Sequence, residues 1–288
     1  MPLVSIGIPF HNPGGLLEGA IRSIQSQTLK DWELLLVNDG STDGSIDIAQ
    51  RFAEIDARIR FFNDGEKRGL VDRLNQIADL ACCKMLARMD ADDLMHPQRL
   101  QVQSDFLNSH TSIDLVDTGT IIIDNRRVPW ASSGLNTPPW FTIEEIFKSG
   151  GIAHPTILVR SDWARMHRYS PDYIRAEDRE LWVRTFRTSR FAHLPMALYY
   201  YRLIGNLREK EWLLSYKSTR KIIWRYGPKN IGITTTVWLW LLNMSKALVL
   251  PVIVSTGFGD HVAKRGRVRL TPEERKEHKA TIAGILDR

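Results

Sequence analysis

Val4-Ser-Ile-Gly-Ile8 followed by Pro9-Phe-His-Asn12 is an apolar run that ends in a polar loop, and Leu34-Leu-Leu-Val37 followed by Asn38-Asp-Gly-Ser-Thr-Asp43 repeats the form. Between them Leu16, Leu17, Ala20, Ile21 and Ile24 recur at the spacing of one helix face. The alternation continues. Ile46, Ala49, Phe52 and Ala53 mark a second helix, Ile59–Phe62 a third strand, Leu70, Leu74, Ile77, Ala78 and Ala81 a third helix, and Met85–Met89 a fourth strand. Strands alternating with helices predict parallel pairing, hence an α/β fold built on a mainly parallel, doubly wound sheet. In such sheets ligands bind beyond the carboxyl ends of the strands. That rule nominates the loops Pro9–Gly15, Asn38–Ser45, Asn63–Gly69 and Asp90–Pro97.

Further along, strands are expected at Leu115–Ile123, Thr156–Val159 and Ala197–Tyr201, with a helix over Asp178–Arg187. They read as an α+β half completing the same domain.

The chain has 288 residues, 43% hydrophobic and 25% charged, which excludes disordered, collagen-like and disulfide-stapled classes. Its net charge of +6 is unevenly spread. Residues 1–205 carry 23 basic and 26 acidic side chains; residues 206–288 carry 16 and 7. An acidic body with a basic tail points to a local anionic surface such as phospholipid, and away from nucleic acid. The two cysteines, Cys82 and Cys83, are adjacent and cannot staple the fold, which fits a reducing cytoplasm. Met1–Phe10 lacks the basic start and long apolar run of a secretory signal.

Arg88-Met-Asp-Ala-Asp-Asp93 closes an apolar strand with three carboxylates. Such a cluster repels itself unless a cation neutralises it, and hard divalent ions take oxygen ligands together with substrate phosphates. An acidic loop also serves simply to cap the next helix, here the one starting near Pro97. Asp39, leaving a buried strand beside Gly40, can accept hydrogen bonds from a base or ribose, and His11 offers a ring that can stack on a base.

In this order, residues 4–12, Asn38–Ser45, Arg68-Gly69 to Asn75, Asp90–Asp93, His154-Pro-Thr156 and Ala176-Glu-Asp-Arg-Glu-Leu-Trp182 resemble the glycosyltransferase family 2 proteins. The resemblance runs from Val4 to about Arg202. It implies the GT-A nucleotide-sugar-binding fold and inverting sugar transfer. Carried over by position, it implies that Pro9 and His11 border the nucleobase, Asp39 hydrogen-bonds it and Arg68 approaches the nucleotide. Asp90 sits near the ribose or metal, and Asp92 is the principal ligand of Mn²⁺ or Mg²⁺ bridging the diphosphate. Asp178, preceded by Glu177, matches the family's general base, while His154 and Arg202 are candidates for diphosphate or acceptor contact. The Gln-x-x-Arg-Trp run of the processive members is missing after the base, so transfer of single sugars is expected.

From Ile231 to Gly259 the only charge is Lys246, and Lys or Arg residues flank the run on both sides. Asn243, Lys246 and Pro251 are expected to prevent a clean membrane span, Pro251 by interrupting the helix. Segments lying in the membrane interface are therefore expected, against the alternative of a helical hairpin packed on the catalytic domain. Thr271-Pro-Glu-Glu274 starts a short terminal helix. The domain expectation is a catalytic GT-A unit over 1–205 and a basic, apolar helical region over 206–288. The functional expectation is a metal-dependent transferase using a UDP-sugar donor. Its acceptor is a lipid-linked or cell-envelope glycan at the inner face of the plasma membrane. The alternative is a non-catalytic nucleotide-sugar-binding subunit that anchors a partner enzyme.

Overall fold

A computed structural model of the chain describes residues 2–203, 209–256 and 266–287. The first half forms as the sequence pattern dictates: β1 (Val4–Phe10), α1 (Leu16–Gln25), β2 (Trp32–Asn38), α2 (Ser45–Ile55), β3 (Ile59–Phe62), α3 (Leu70–Leu80) and β4 (Met85–Arg88). Strands β3, β2, β1 and β4 lie side by side in that order, all parallel.

Strands buried on both faces need apolar residues at every position, which is why β2 reads as an unbroken run. Its alternate residues serve different layers. Leu34 and Leu36 pack with Leu17, Ile21 and Phe52 of α1 and α2 on one face. Leu35 and Val37 pack with Ile77 and Ala78 of α3 on the other. Full burial of each such side chain stabilises the fold by about 1.5–3 kcal/mol. At Gly7 of β1 a Cβ would stand 2.3 Å from Ile77 Cγ2, so the absence of a side chain lets α3 lie close on the sheet.

The second half departs from a mainly parallel sheet. Here β5 (Leu94–Met95), α4 (Arg99–Ser109), β6 (Leu115–Ile123), β7 (Pro129–Ser133), α5 (Ile143–Ser149), β8 (Leu158–Arg160), α6 (Ser161–Met166), α7 (Glu177–Thr185) and β9 (Phe191–Arg202) follow. β8 enters antiparallel between β4 and β6, and β7 pairs antiparallel with β6. β6 and β9 are parallel to each other. The sheet is therefore mixed. Of these pairs only β6 and β7 are joined by a short turn, which makes that pair antiparallel; β8 reaches its place between β4 and β6 after the longer connection that carries α5.

Helices α8 (Glu209–Ile231) and α9 (Ile233–Ser255) form a hairpin, followed by β10 (Val268–Arg269) and α10 (Pro272–Leu286). Ile222 and Ile223 join α8 to the core beneath α7. α10 starts with a capping box between Thr271 and Glu274, as the sequence predicts, and buries Ile282 and Ile285 against Leu94 and Tyr200. The expected boundary at 205/206 falls outside the described residues, as do Lys264 and Arg265 of the basic flank.

The expectation that Pro251 interrupts the apolar helix is corrected: α9 is continuous through it. Pro251 lies in the closing turns, where its ring removes one backbone hydrogen bond and little helix remains to be kinked. By length and composition α9 is sufficient to cross a bilayer, with a mean hydropathy of 1.8. Its Thr236, Leu239, Asn243 and Leu250 are buried, whereas Val237, Leu241, Leu248 and Val252 are exposed.

Candidate active site

Four loops meet at the carboxyl ends of the parallel strands. Asn12 holds a left-handed backbone conformation, and its N–H donates to Ser41 Oγ (3.0 Å) while its side-chain oxygen accepts from Thr42 N–H (2.7 Å). Gly14 N–H donates to Asp43 Oδ2 at 2.7 Å. These bonds join the β1 and β2 loops. Gly40 has φ of +69°, and a Cβ there would meet the Lys67 backbone at 3.1 Å, so only glycine lets the β3 loop approach.

Asp39 is nearly buried and works through one oxygen. Its Oδ1 accepts from Arg68 N–H (2.7 Å), Gly69 N–H (2.9 Å) and Arg73 Nε (3.1 Å). Arg73, buried in the first turn of α3, also holds both oxygens of Asp64 at 2.7 and 2.8 Å. Asp39 is therefore a fixed anion whose second oxygen carries no hydrogen bond from the described residues. Pro9 lies within β1 opposite Val37 and is buried, while His11 is exposed and its Nε2 accepts from Lys67 Nζ at 3.0 Å. Arg68, expected to approach the nucleotide, stands on the β3 loop with its side chain exposed. Its guanidinium pairs with Asp64 (3.0 Å) and Glu66 (2.9 Å), and only its backbone reaches Asp39. Arg73, which sequence reading missed, does the holding; its signal was a cation in the turn of helix following Asp64.

The acidic loop after β4 is organised by two arginines. Buried Arg88 grips Asp90 with two bonds of 2.5 and 3.0 Å. In extended backbone residues i and i+2 point the same way, so this pairing was legible in Arg88-Met-Asp90. Asp93 is buried; its Oδ1 accepts from Arg202 N–H at 2.6 Å, and burial, then Asp90 and Asp92, push its carboxyl well above the usual range. Burial and the neighbouring Asp90 also raise Asp92. Asp90 N–H donates to Tyr199 Oη (3.1 Å), which fixes the loop on β9. Arg202 ends β9 beside this loop. Its guanidinium donates to the carbonyls of Asp92 (2.7 Å) and Asp124 (2.9 Å), so it braces the loop.

Across Arg88 lies the other carboxylate pair. α7 begins at Glu177, two residues after Arg175, whose φ is +64°, with Ala176 as the N-cap. Glu177 is buried, and burial followed by repulsion from Asp178 raises its carboxyl. Asp178 Oδ1 accepts from the Arg179 N–H at 2.7 Å. Buried His154 shares a 2.8 Å hydrogen bond with Tyr169 Oη and lies edge-on to Trp182. Burial and then the Arg88 charge hold His154 well below its ordinary pKa, so it is neutral at pH 7. Tyr169 feels Arg88, Asp178 and Glu177 together. Arg88 thus stands electrostatically between Asp90-Asp92-Asp93 and Glu177-Asp178. Tyr169 carries no motif, and only the fold reveals it.

Whether this loop suits a cation can be judged from the side chains. Asp92 offers hard oxygens, is not gripped by Arg88, and is disfavoured as an anion by burial and Asp90. Its carboxylate oxygens are of the kind a Mg²⁺- or Mn²⁺-type ion takes, and such an ion would offset that penalty.

The profile of the family described as "Glycosyl transferase family 2" matches residues 5–172, more than half the chain. The chain belongs to glycosyltransferase family 2. It is 34% identical over 204 residues to EpsE of Bacillus subtilis, named as a glycosyltransferase, covering 69% of this chain and 72% of that one. The family 2 fold is also matched by S. aureus TarS 1–349 in complex with UDP-GlcNAc, at a TM-score of 0.64 and 17% identity over 84% of this chain and 71% of that one. The mannosyltransferase PcManGT of Pyrobaculum calidifontis, in complex with GDP-Man and Mn²⁺, matches at a TM-score of 0.62 and 14% identity, over 99% and 86%. The fold is GT-A, and this family 2 chain is a glycosyltransferase enzyme. The reading as a non-catalytic anchoring subunit is thereby set aside.

Proposed function

We propose that the protein is an inverting, metal-dependent glycosyltransferase that moves a sugar from a UDP-sugar to a hydroxyl of a lipid-linked or cell-envelope glycan. The observation that carries this reading is that one buried cation, Arg88, bonds Asp90 and acts electrostatically on both Asp93 and Glu177. Asp90 and Asp93 lie on the acidic loop after β4, Glu177 at the start of α7. Asp39, immobilised through Oδ1, presents its other oxygen to an N–H of the base, and His11 borders it. Asp92, with Asp90 beside it, would hold a divalent cation, which would supply positive charge to the leaving diphosphate. Asp178 takes the proton from the acceptor hydroxyl as its oxygen attacks the anomeric carbon, and the nucleoside diphosphate departs with the bonding electron pair. Burial, then Asp178, raise the neighbouring Glu177 carboxyl above its ordinary range. Arg88 holds Asp90 by two bonds, and its charge reaches Glu177. His154 and Tyr169 line the gap between them as neutral hydrogen-bonding groups.

TarS, in a complex with UDP-GlcNAc, supports the choice of a uridine nucleotide. The test is nucleoside-diphosphate release from UDP-, GDP- and dTDP-sugars with Mn²⁺. Release from the UDP-sugar alone is expected, and release confined to another nucleotide overturns that choice.

The membrane contact rests on α9. Its outer stripe of Val237, Leu241, Leu248 and Val252 is exposed and apolar at helical spacing. Lys and Arg residues flank it in the sequence. We assign this stripe to the inner face of the plasma membrane, as a peripheral contact with anionic lipid. Full-length protein is expected to float with anionic liposomes, and Leu241→Lys with Leu248→Lys to remain behind. Equal flotation of wild type and variant contradicts the assignment.

A further inference from the structure

The α8–α9 hairpin leaves a groove of about 810 Å³ facing α5 and the first turn of α7. That is the size of a site for a chain-like or drug-sized ligand. Its walls are mostly apolar, yet three cations line it: Lys148, Arg179 and Lys246. None of the three has an ion-pair partner among the described residues. The Arg179 guanidinium, with five donors, makes one hydrogen bond, to Thr219 Oγ1 at 3.2 Å.

Register places two of these cations at one level. Gly227 packs against Thr236 and Arg220 bonds to Asn243, so the antiparallel helices bring the Tyr216–Thr219 turn of α8 opposite Lys246. Arg179 lies on that same turn. Apolar side chains continue along α9 on either side, from Trp238 to Ile253, a length of about 22 Å at 1.5 Å per residue. Arg179 directly follows Asp178 and donates its backbone N–H to it. The groove therefore begins one residue along α7 from the base assigned above. Burial disfavours the Arg179 cation and Asp178 offsets part of that cost, so a further anion beside it is favoured.

We propose that this groove is the acceptor-lipid site, holding the hydrocarbon chain of a phosphate-bearing lipid with its phosphate on Arg179 and Lys246. The assignment rests on the lipid-linked acceptor reading above and gives it a location. A hydrocarbon chain fits the apolar walls; the unpaired cations select a phosphate over a neutral head. The groove side of α9, with Leu242, Lys246 and Val249, is distinct from the outer stripe assigned to the membrane.

The test uses the full chain and three probes below their micelle-forming concentrations: farnesyl phosphate, farnesol and inorganic phosphate. Saturable binding of farnesyl phosphate is expected, with farnesol about tenfold weaker or more and inorganic phosphate not binding measurably. Lys246→Met and Val249→Glu should each weaken farnesyl phosphate by about tenfold, whereas Leu241→Glu on the outer stripe should not. UDP release from the donor, measured in parallel, should be the same in Lys246→Met and wild type. Equal affinity in all variants, or no saturable binding while donor turnover persists, overturns the groove and leaves the transferase reading standing. Loss through Leu241→Glu alone overturns it in favour of adsorption to the outer stripe. Failure of the wild type to turn over any donor counts against the transferase reading, separately from the groove.

Discussion

Arg88 is the side chain on which both ends of the cleft depend. It is buried, it grips Asp90 with two bonds, and its charge reaches Glu177, Tyr169 and His154. Arg88→Met removes the cation and leaves the carboxylates facing one another. Because Asp90 is 30% exposed, the expected loss is about 2–3 kcal/mol, less than for a fully buried pair. Urea denaturation measures it, and an unchanged midpoint contradicts the role. A second residue-scale prediction concerns Glu33, far from the cleft. Burial works against its charge, but the Cys82 N–H, Ser5 Oγ and Arg60 outweigh it and bring its pKa to about 2 from an ordinary 4.5. A depressed carboxyl contributes stability that is complete above about pH 4.5 and is lost as the pH falls toward 2. Glu33→Gln should remove an acid-labile contribution on the order of 3 kcal/mol. Denaturation at pH 7 and pH 3 then gives a smaller difference for the variant than for the wild type.

At the scale of elements, the parallel half was legible because each strand is an apolar run and each helix shows a one-sided stripe. β3 matches Ile59–Phe62 and β6 matches Leu115–Ile123 residue for residue. The antiparallel insertion of β8 between β4 and β6 was hidden, since pairing direction leaves no trace in a three-residue strand. Pro251 misled because its effect depends on how much helix follows it. In the site, Asp39, Asp90, Asp92 and Asp178 were nameable from their motifs. Arg73 and Tyr169 were not, because their partners are set by folding: Asp39 is 34 positions from Arg73, and His154 is 15 from Tyr169. The α8–α9 hairpin carries its own prediction. A Cβ at Gly227 would stand 2.5 Å from Thr236 Oγ1, so Gly227→Val should part the helices and cost about 1–3 kcal/mol. Thermal unfolding reads this, and a variant as stable as wild type shows that the close approach is dispensable.

For the whole molecule, the arrangement separates duties between the two halves. In the proposed mechanism the parallel half and its loops supply Asp39 and Asp92 for the donor, while α7, reached through the mixed half and propped by α8, supplies Asp178 for the acceptor. Ser218 Oγ of α8 donates to the Ile174 carbonyl at 2.7 Å, and Arg175 pairs with Glu211, so the hairpin fixes the loop ahead of the base. Donor binding and proton removal should therefore fail independently. The most direct measurement is UDP-sugar affinity alongside transfer rate, with Mn²⁺ and with chelator, in wild type, Asp92→Ala and Asp178→Asn. The account predicts that Asp92→Ala loses the Mn²⁺-dependent gain in donor affinity. Asp178→Asn should keep that gain while transfer falls by about 10²–10⁴-fold. Mn²⁺-dependent donor binding that survives in Asp92→Ala, or transfer that survives in Asp178→Asn, would contradict it.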